Sequence, residues 1–484
     1  MSHSIPEQLR FSPAAGFTIR ADFNGGGLSS DLGPLLLREV DRQIGLTARI
    51  TGALNDARHS GYIKHSMSDL LQQRIYQIGS GYEDGNDSNS LRNDPMLRLG
   101  VDRKPFDPDE ALASSATISR FEHAATRKDV YRFARALVEQ FIAGYATPPE
   151  ALILDLDHSE DVAYGQQPLA FYNHHYRSTC YLPLLIFEGL SGALVCAVLR
   201  PGKRPTGAEN AMILKRVLKL IRSHFPDTHI LVRGDGHFSN PELMRLIDVM
   251  PNTGFIFGLG GNAVLNRKAE PALRQARNLY AQRQRLDANS SSVRLFDDFS
   301  YAAGSWHKPL RVILKAEVMA LGDNPRFIVT SLDLPDPQTV YTKLYCARGQ
   351  TENFIKHLKC DLAADRTSCT TFLANCMRLA LHAAAYVLHQ QLRTQALKHT
   401  ELANAQPKSI ILKLFKIAVQ VKPYKNRVIL HLPSAYPYRH LLWQLTERLY
   451  LSNASILPDI VTSDPPRIGH TPSTHHCLLR NFPR

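Results

Sequence analysis

The sequence predicts an α/β protein: a mixed five-stranded sheet with flanking helices, interrupted by a β-rich insertion and preceded by a mainly helical region. Three observations carry this prediction. Up to residue 148 the apolar residues recur at helical spacing, and from residue 149 they alternate with period two in short runs. Turn residues then separate those runs into a definite order of strands and helices. A chain of 484 residues is too long for one ordinary core, so several domains are expected.

The helical part comes first. Leu35, Leu36, Leu37, Val40 and Ile44 share one helical face, as do Leu70, Leu71, Ile75 and Ile78, and a third stripe runs from Val130 to Ile142. Within this part, Glu110–Ala113, Ser114–Thr117 and Ile118–Glu122 read as helix, turn and helix. Serine and threonine cap the second helix, and Ser119 and Arg120 are expected on its exposed side. Such a helix can read DNA, although any helical hairpin has the same pattern. Arg120 is the DNA-contact candidate here.

The strands follow. Ala151–Asp157 predicts a first strand, and Cys180–Phe187 and Ala193–Leu199 two more, joined by the turn Gly189-Leu-Ser-Gly192. A helix is expected from Ala208 to His224, with Met212, Leu214, Val217, Leu218 and Ile221 at helical spacing. A strand at Ile230–Arg233, a helix at Pro241–Val249 and a strand at Gly254–Leu259 complete the series. Three meandering strands, then helix, strand, helix, strand, is the order of an RNase-H-like core.

The carboxylates fall at telling points of that order. Asp155 and Asp157 close the first strand in Leu-Asp-Leu-Asp, and alternation puts both on one face. Asp235 directly follows the fourth strand, in Arg233-Gly-Asp-Gly-His237. In this topology the two strand ends are neighbours, and ligands of α/β sheets collect at such carboxyl-terminal edges. One aspartate after a strand is ordinarily a turn or cap residue. Two at these topological positions are harder to explain that way.

A third group lies far downstream. In Tyr345-Cys-Ala-Arg348-Gly-Gln-Thr-Glu352-Asn-Phe-Ile-Lys-His-Leu-Lys359, the offsets between Tyr345, Arg348, Glu352 and Lys359 are 3, 4 and 7. On a regular helix all four fall within about 60° of one another. Such a face suits a phosphodiester, with a carboxylate for metal and cations for phosphate. An exposed i, i+4 ion pair between Arg348 and Glu352 is the plainer alternative. More chain separates Asp235 from Glu352 than one helix and one strand require, and Val293–Phe299, Leu310–Val318 and Arg326–Leu332 read as strands within it.

Charge points the same way. Fifty-seven Lys and Arg face 44 Asp and Glu, a surplus of 13 that suits a polyanionic partner. From Leu402 to Gln444 there is no acidic residue, while Lys413, Lys416, Lys422 and Lys425 stand among Phe415, Tyr424, Tyr436 and Tyr438. That strip is expected to meet phosphates and bases. Seven cysteines occur without a Cys-x-x-Cys pair, which argues against a disulfide framework and a structural zinc site. No apolar run is long enough to span a membrane, and the first ten residues lack an apolar signal core, so a cytoplasmic location is expected.

The spacing Tyr-x2-Arg-x3-Glu-x6-Lys resembles the signature of bacterial insertion-sequence DDE transposases. Further segments are similar to the subgroup called DDE-domain group one: Leu28-Ser-Ser-Asp31 with Leu35-Leu-Leu-Arg-Glu39, His65-Ser-Met-Ser-Asp-Leu-Leu71 and Gly81-Tyr-Glu-Asp84. Gly165-Gln-Gln167, Phe171-Tyr-Asn173, Tyr181-Leu-Pro-Leu184 and Ala364-Asp-Arg-Thr-Ser368 belong to the same set. The likeness runs from about residue 10 to about residue 435. It implies that Asp157, Asp235 and Glu352 are the catalytic, metal-binding triad, with Asp155 as second choice for the first position. Asp157 is preferred because Ser159 supplies the expected Asp-x-Ser/Thr context. Tyr345, Arg348 and Lys359 take the remaining signature places. Gly-Asp-Gly-His departs from the expected serine after the aspartate and leaves the role of His237 open.

The resemblance implies a transposase that binds terminal inverted repeats, cleaves DNA and transfers the 3′ ends to target DNA, paired as a homodimer. Hard oxygen ligands favour Mg²⁺, with Mn²⁺ as a substitute. The alternatives are a metal-dependent nuclease that does not join, and a DNA-binding protein with an inert site. Glycoside hydrolysis by a carboxylate pair leaves the basic surplus unexplained. The expected organisation is a helical DNA-binding domain over 1–148, a first core part over 149–260 and the insertion over 261–343. The last core helices follow over 344–400 and the basic C-terminal region over 401–484.

Overall fold

The structure, a computed structural model, describes residues 8–287 and 291–454. Its centre is a mixed sheet whose eight principal strands are β1 (Ala151–His158), β2 (Leu184–Glu188), β3 (Leu194–Val198), β4 (His229–Gly234), β5 (Thr253–Leu259), β6 (Ser292–Tyr301), β7 (Leu310–Met319) and β8 (Arg326–Thr330). Their order across the sheet is β6-β7-β8-β5-β4-β1-β2-β3. β1, β4 and β5 run parallel, and the other neighbours are antiparallel. The five strands expected from the sequence therefore lie side by side as 3-2-1-4-5, with the next three continuing the sheet from β5.

The helices are set by clear local signals. α1 (Ser115–His123) and α2 (Arg127–Ala143) precede the sheet, α3 (Gly207–His224), α4 (Pro241–Asp248) and α5 (Ala263–Leu286) link its strands, and α6 (Phe372–Gln391) follows. Thr126 with Asp129 and Thr206 with Glu209 form capping boxes that satisfy the free N–H groups starting α2 and α3. Asn240 caps α4, with Pro241 in the first turn where its missing N–H costs nothing.

One face of the sheet is packed by α3, α4 and α5 around Leu152, Leu154, Leu156, Val232, Phe255 and Phe257. Fully burying each leucine contributes about 2 kcal/mol, and because side chains alternate, this burial turns the intervening Asp155 and Asp157 to the opposite face. That second face is covered by a continuous helical stretch from Pro337 to Asp361, which packs Val340 and Tyr341 on Leu231, Ile256, Ile313 and Ile328. A third core joins the N-terminal helices to α6 and to Leu185, Phe187 and Leu194 of the sheet, and extends to Leu449.

Several expectations are corrected. Residues 110–122 do not form helix, turn and helix: Pro108–Glu110 is a single 3₁₀ turn, residues 111–114 are irregular, and the expected turn is the start of α1. The stretch 180–187 breaks at Leu182-Pro183, where proline has no N–H for a ladder. Ser178–Tyr181 pairs instead with Asp161–Val162 and Phe171–Asn173 in a small separate sheet. The three strands expected over 293–332 are present as β6, β7 and β8, but the insertion expected over 261–343 also contains the 24-residue helix α5, which the strand reading did not include. Residues 455–484 of the expected C-terminal region lie outside the described residues. Among the described residues no helix is long and apolar enough to cross a membrane.

Candidate active site

The parallel pairing of β1 with β4 builds the site. Register sets Asp155 opposite Arg233 and Leu156 opposite Gly234, so Asp157 and Asp235 come next, side by side at the two strand ends. The first carboxylate of the Leu-Asp-Leu-Asp run is sealed. Arg233 Nε donates to Asp155 Oδ1 at 2.6 Å and its Nη2 to Oδ2 at 2.7 Å, while Thr351 Oγ1 donates to Oδ2 at 2.8 Å. Arg233 Nη1 is held by the Leu344 carbonyl at 2.6 Å. Gly189 makes room for this cluster, since a Cβ there would stand 2.5 Å from Arg233 Nη2 and 2.6 Å from Asp155 Oδ2.

Asp157 is placed differently. It receives Arg348 Nη1 at 3.0 Å, and that pair is only partly covered. Burial pushes the Asp157 carboxyl up to about 6, against the attraction of Arg348 and with the help of the charge on Asp235. Asp235 is matched by His237, whose Nδ1 lies 3.2 Å from Oδ2 and whose backbone N–H donates to Oδ1 at 2.9 Å. Burial would raise the Asp235 carboxyl, but the hydrogen bonds and charge of His237 outweigh it and leave it below the usual value. The bond to Asp235 in turn raises the His237 imidazole. Each aspartate thus has its own basic partner.

Two further groups frame this pair. Tyr345 is half-buried beside Asp235, and Gly258 admits it: a Cβ at 258 would lie 2.7 Å from its hydroxyl. His158 stacks on Phe238 at 4.7 Å and lies within bonding distance of Asn210 and near Arg200; burial and Arg200 drive its imidazole down to about 4. Sequence reasoning missed both His158 and Arg233. The signal for Arg233 was present, because parallel register sets it opposite Asp155.

The signature residues are not carried on one regular helix. The stretch from Pro337 to Asp361 is not a uniform α-helix: Val340–Tyr345 and His357–Asp361 are π turns, and Cys346–Gly349 is 3₁₀. The angle per residue therefore changes three times within the motif, which defeats a count at about 100° per residue. Arg348 reaches Asp157 at the end of β1. Lys359 reaches the chain just beyond it, donating to Ser159 Oγ at 3.0 Å and to the Glu160 carbonyl, with Asp161 at 3.5 Å. Asp161 is fully enclosed, and burial pushes its carboxyl up to about 7 against the pull of Lys359. Between them Thr351 points inward, while Glu352 is exposed and has no hydrogen bond or ion pair among the described residues. The alternative of an Arg348–Glu352 pair is not found among the described residues, where Arg348 is taken by Asp157.

The C-terminal strip divides in the structure. Lys416 pairs with Asp31 at 2.7 Å and lies 3.5 Å over the Tyr82 ring, and Phe415 is a core residue. Lys413 lies 5.1 Å over the half-buried Tyr438 ring, and Tyr436 hydrogen-bonds the Lys413 carbonyl. Lys422, Tyr424 and Lys425 are exposed on the hairpin formed by Val419–Pro423 and Val428–His431. Arg120 is exposed on α1, bonded only to the Ala116 carbonyl and the Thr117 hydroxyl.

What the arrangement can hold follows from its donors. The oxygens of Asp157 and Asp235 are hard ligands suited to a small divalent cation. Glu352 stands apart from them, and among the described residues no three His, Cys, Asp or Glu side chains converge as a metal-holding group.

Comparison with known proteins then places the chain. No curated protein matches it. Among solved structures it is similar to the piggyBac transposase in a synaptic complex with hairpin DNA, at 13% identity and a TM-score of 0.39, covering 90% of this chain and 87% of that one. The transposase DDE domain group 1 family matches residues 11–454. The match spans nearly the whole sequence, including both aspartates and the signature helix, and the chain belongs to the transposase DDE domain group 1 family.

Proposed function

We propose that this chain is an insertion-sequence transposase that binds DNA ends, cleaves the strand and joins the freed 3′ end to target DNA, on an RNase-H-like core. The observation that carries the reading is the pairing of Asp157 and Asp235 at adjacent parallel strand ends, in the 3-2-1-4-5 order. The burial and mutual repulsion that raise the Asp157 carboxyl are relieved by a cation between the two groups, so the residues fit a divalent metal. Asp157 and Asp235 would hold it; Glu352, free of other partners among the described residues but not converged on the two aspartates here, would have to turn toward them to serve as the third ligand. The metal, Mg²⁺ by the hardness of these donors, would supply activation of the attacking oxygen and charge stabilisation of the leaving one.

The protein's own residues do the rest. Arg348 Nη1 now neutralises Asp157, and a guanidinium so placed can turn to a DNA phosphate as that carboxylate takes up its metal. Lys359 holds the Ser159–Asp161 loop against the signature helix, beside the same strand end, where a phosphate would find a second cation. Arg233 and Thr351 fix Asp155, which keeps the end of β1 in place. Water serves as nucleophile for cleavage and the freed 3′-hydroxyl for joining, with no covalent bond to the protein.

Incubation with element-end DNA and Mg²⁺ tests the reading. Nicked product together with joined product is expected. Nicking without joining would reveal a nuclease, and tight binding without either would reveal an inert DNA-binding protein.

A further inference from the structure

The small sheet of Asp161–Val162, Phe171–Asn173 and Ser178–Tyr181 carries a turn, residues 174–177, against the ends of β1 and β4. Two ties hold it there. On one side Ser178 donates its hydroxyl to Glu160, three residues past Asp157. On the other side the His175 ring meets that of His237 edge-on at 6.2 Å, and His237 is the partner of Asp235. The turn therefore bridges the two strand ends at which Asp157 and Asp235 stand side by side.

The turn is firmly built. Asn173 Oδ1 accepts from the backbone N–H of His175 at 3.0 Å and of Tyr176 at 3.4 Å, a local closure that asparagine favours. The Asn173 carbonyl accepts from the Arg177 N–H at 2.7 Å, with Arg177 in the left-handed region at φ 57°. The His175 ring then packs edge-on against Tyr176 at 4.8 Å. Tyr176 is thus set half-buried beside Asp157, Asp235 and Glu160; burial, and after it the charges of these three acids, push its hydroxyl up to about 12. That hydroxyl has no hydrogen-bond partner among the described residues, whereas Asp157 is matched by Arg348 and Asp235 by His237. A half-buried donor in a site whose acids already have their partners lacks an acceptor brought from outside.

We infer that Tyr176 is a further catalytic residue, its hydroxyl donating a hydrogen bond to a non-bridging oxygen of the DNA phosphate cut at Asp157 and Asp235. The phenol keeps its proton throughout, so no bond between DNA and protein forms or breaks. Its contribution grows as negative charge gathers on the phosphate during displacement, where a fixed donor lowers the barrier most. Arg348 comes from the signature helix and Tyr176 from the small sheet, so two separate elements would grip one phosphate. The inference deepens the proposed function and rests on it, since it names the donor that meets the DNA at the same two carboxylates.

Single-turnover cleavage of pre-bound element-end DNA in Mg²⁺ by the full-length chain tests this, with wild type, Tyr176→Phe, His175→Ala and His174→Ala compared. Tyr176→Phe keeps the ring and removes only the hydroxyl. It is expected to cleave about a hundredfold more slowly, the loss typical of one transition-state donor, at unchanged DNA affinity and melting temperature. His175→Ala should slow cleavage less, because it only loosens the support of the Tyr176 ring. His174→Ala, exposed on the turn against Tyr172, should cleave as wild type. A second readout needs no turnover. In protein labelled with fluorotyrosine, the fluorine NMR signal that Tyr176→Phe removes should broaden as Mn²⁺ is added, because the ring stands beside both aspartates. Wild-type cleavage by Tyr176→Phe would overturn the inference, as would a Tyr176 signal untouched by Mn²⁺ while that of Tyr345 broadens. A slower Tyr176→Phe with a matching fall in melting temperature would assign the residue to packing and overturn it too. No cleavage by the wild type would reject the proposed enzyme, and this role with it.

Discussion

Two aspartates of one strand, two residues apart on the same face, have opposite surroundings. Asp155 is enclosed, with both oxygens taken by Arg233 and one also by Thr351. Asp157 meets a single partly exposed arginine and feels a second carboxylate beside it. The difference teaches how a structural carboxylate is told from a reactive one. A sealed bidentate pair leaves a ligand no open approach to the carboxylate, whereas an aspartate crowded by another acid is stabilised by any cation that joins it. Each inward residue along β1 is thus assigned its task by what stands opposite it on β4.

The largest expected effects lie on the reactive side. Asp235→Ala and Glu352→Ala should each lower cleavage by about a thousandfold or more while leaving DNA affinity nearly unchanged, because charge stabilisation is removed and the phosphate-binding cations are not. Single-turnover cleavage and a binding titration of the same preparations check this. Normal cleavage by Glu352→Ala would remove the exposed glutamate from the mechanism.

On the sealed side the loss should appear in stability. Arg233→Ala leaves Asp155 buried without its cation, and breaking such a pair costs about 3–5 kcal/mol. Urea unfolding measures it, and a change below about 1 kcal/mol would show that Asp155 is not confined as described.

The dependence on pH sharpens the contrast. Asp157 titrates near 6 and Asp161 near 7 in the folded protein, both above the ordinary aspartate value. The folded state therefore binds protons more tightly than the unfolded chain. Stability from these groups is present at low pH and falls as pH rises from about 4 to 7, by about 7 kcal/mol in all at about 1.4 kcal/mol per pKa unit. Asp161→Asn should remove the upper part of that fall and Asp157→Asn the lower. Unfolding curves that keep the same pH slope in both variants would exclude these two carboxyls as its source.

Smaller effects are expected from the cations. Arg348→Lys should slow cleavage about tenfold with little change in melting temperature, since lysine offers a point charge where arginine can donate twice. In the C-terminal strip, Lys422→Ala with Lys425→Ala should weaken DNA binding slightly. Lys416→Ala should instead lower stability, because it leaves the buried Asp31 without its ion pair. Equal effects of these changes on DNA binding would restore the strip as one continuous DNA surface.

Much of the fold was legible in the sequence, for physical reasons. The Leu-Asp-Leu-Asp alternation and the turn residues located β1 to β5, and the strand order followed from their sequence. The carboxylates at the ends of β1 and β4 were found because register and chain position agree there. The signature helix was misjudged in its geometry, because π and 3₁₀ turns depend on packing over β4, β5 and β8 and leave no periodic mark. Which residues of the C-terminal strip turn inward was not legible, because a run of like charges does not reveal partners distant in sequence. Asp31 and Tyr82, which take up Lys416, lie more than three hundred residues away.

The account rests on Asp157 being the reactive carboxylate of β1 and Asp155 the structural one. Single-turnover cleavage of pre-bound element ends in Mg²⁺, with Asp157→Asn and Asp155→Asn compared against melting temperature, tests this most directly. Asp157→Asn should keep its melting temperature within a few degrees and lose cleavage. Asp155→Asn should melt markedly lower and, at a temperature where it is folded, still cleave. Wild-type cleavage by Asp157→Asn, with loss in Asp155→Asn at full folding, would contradict the account.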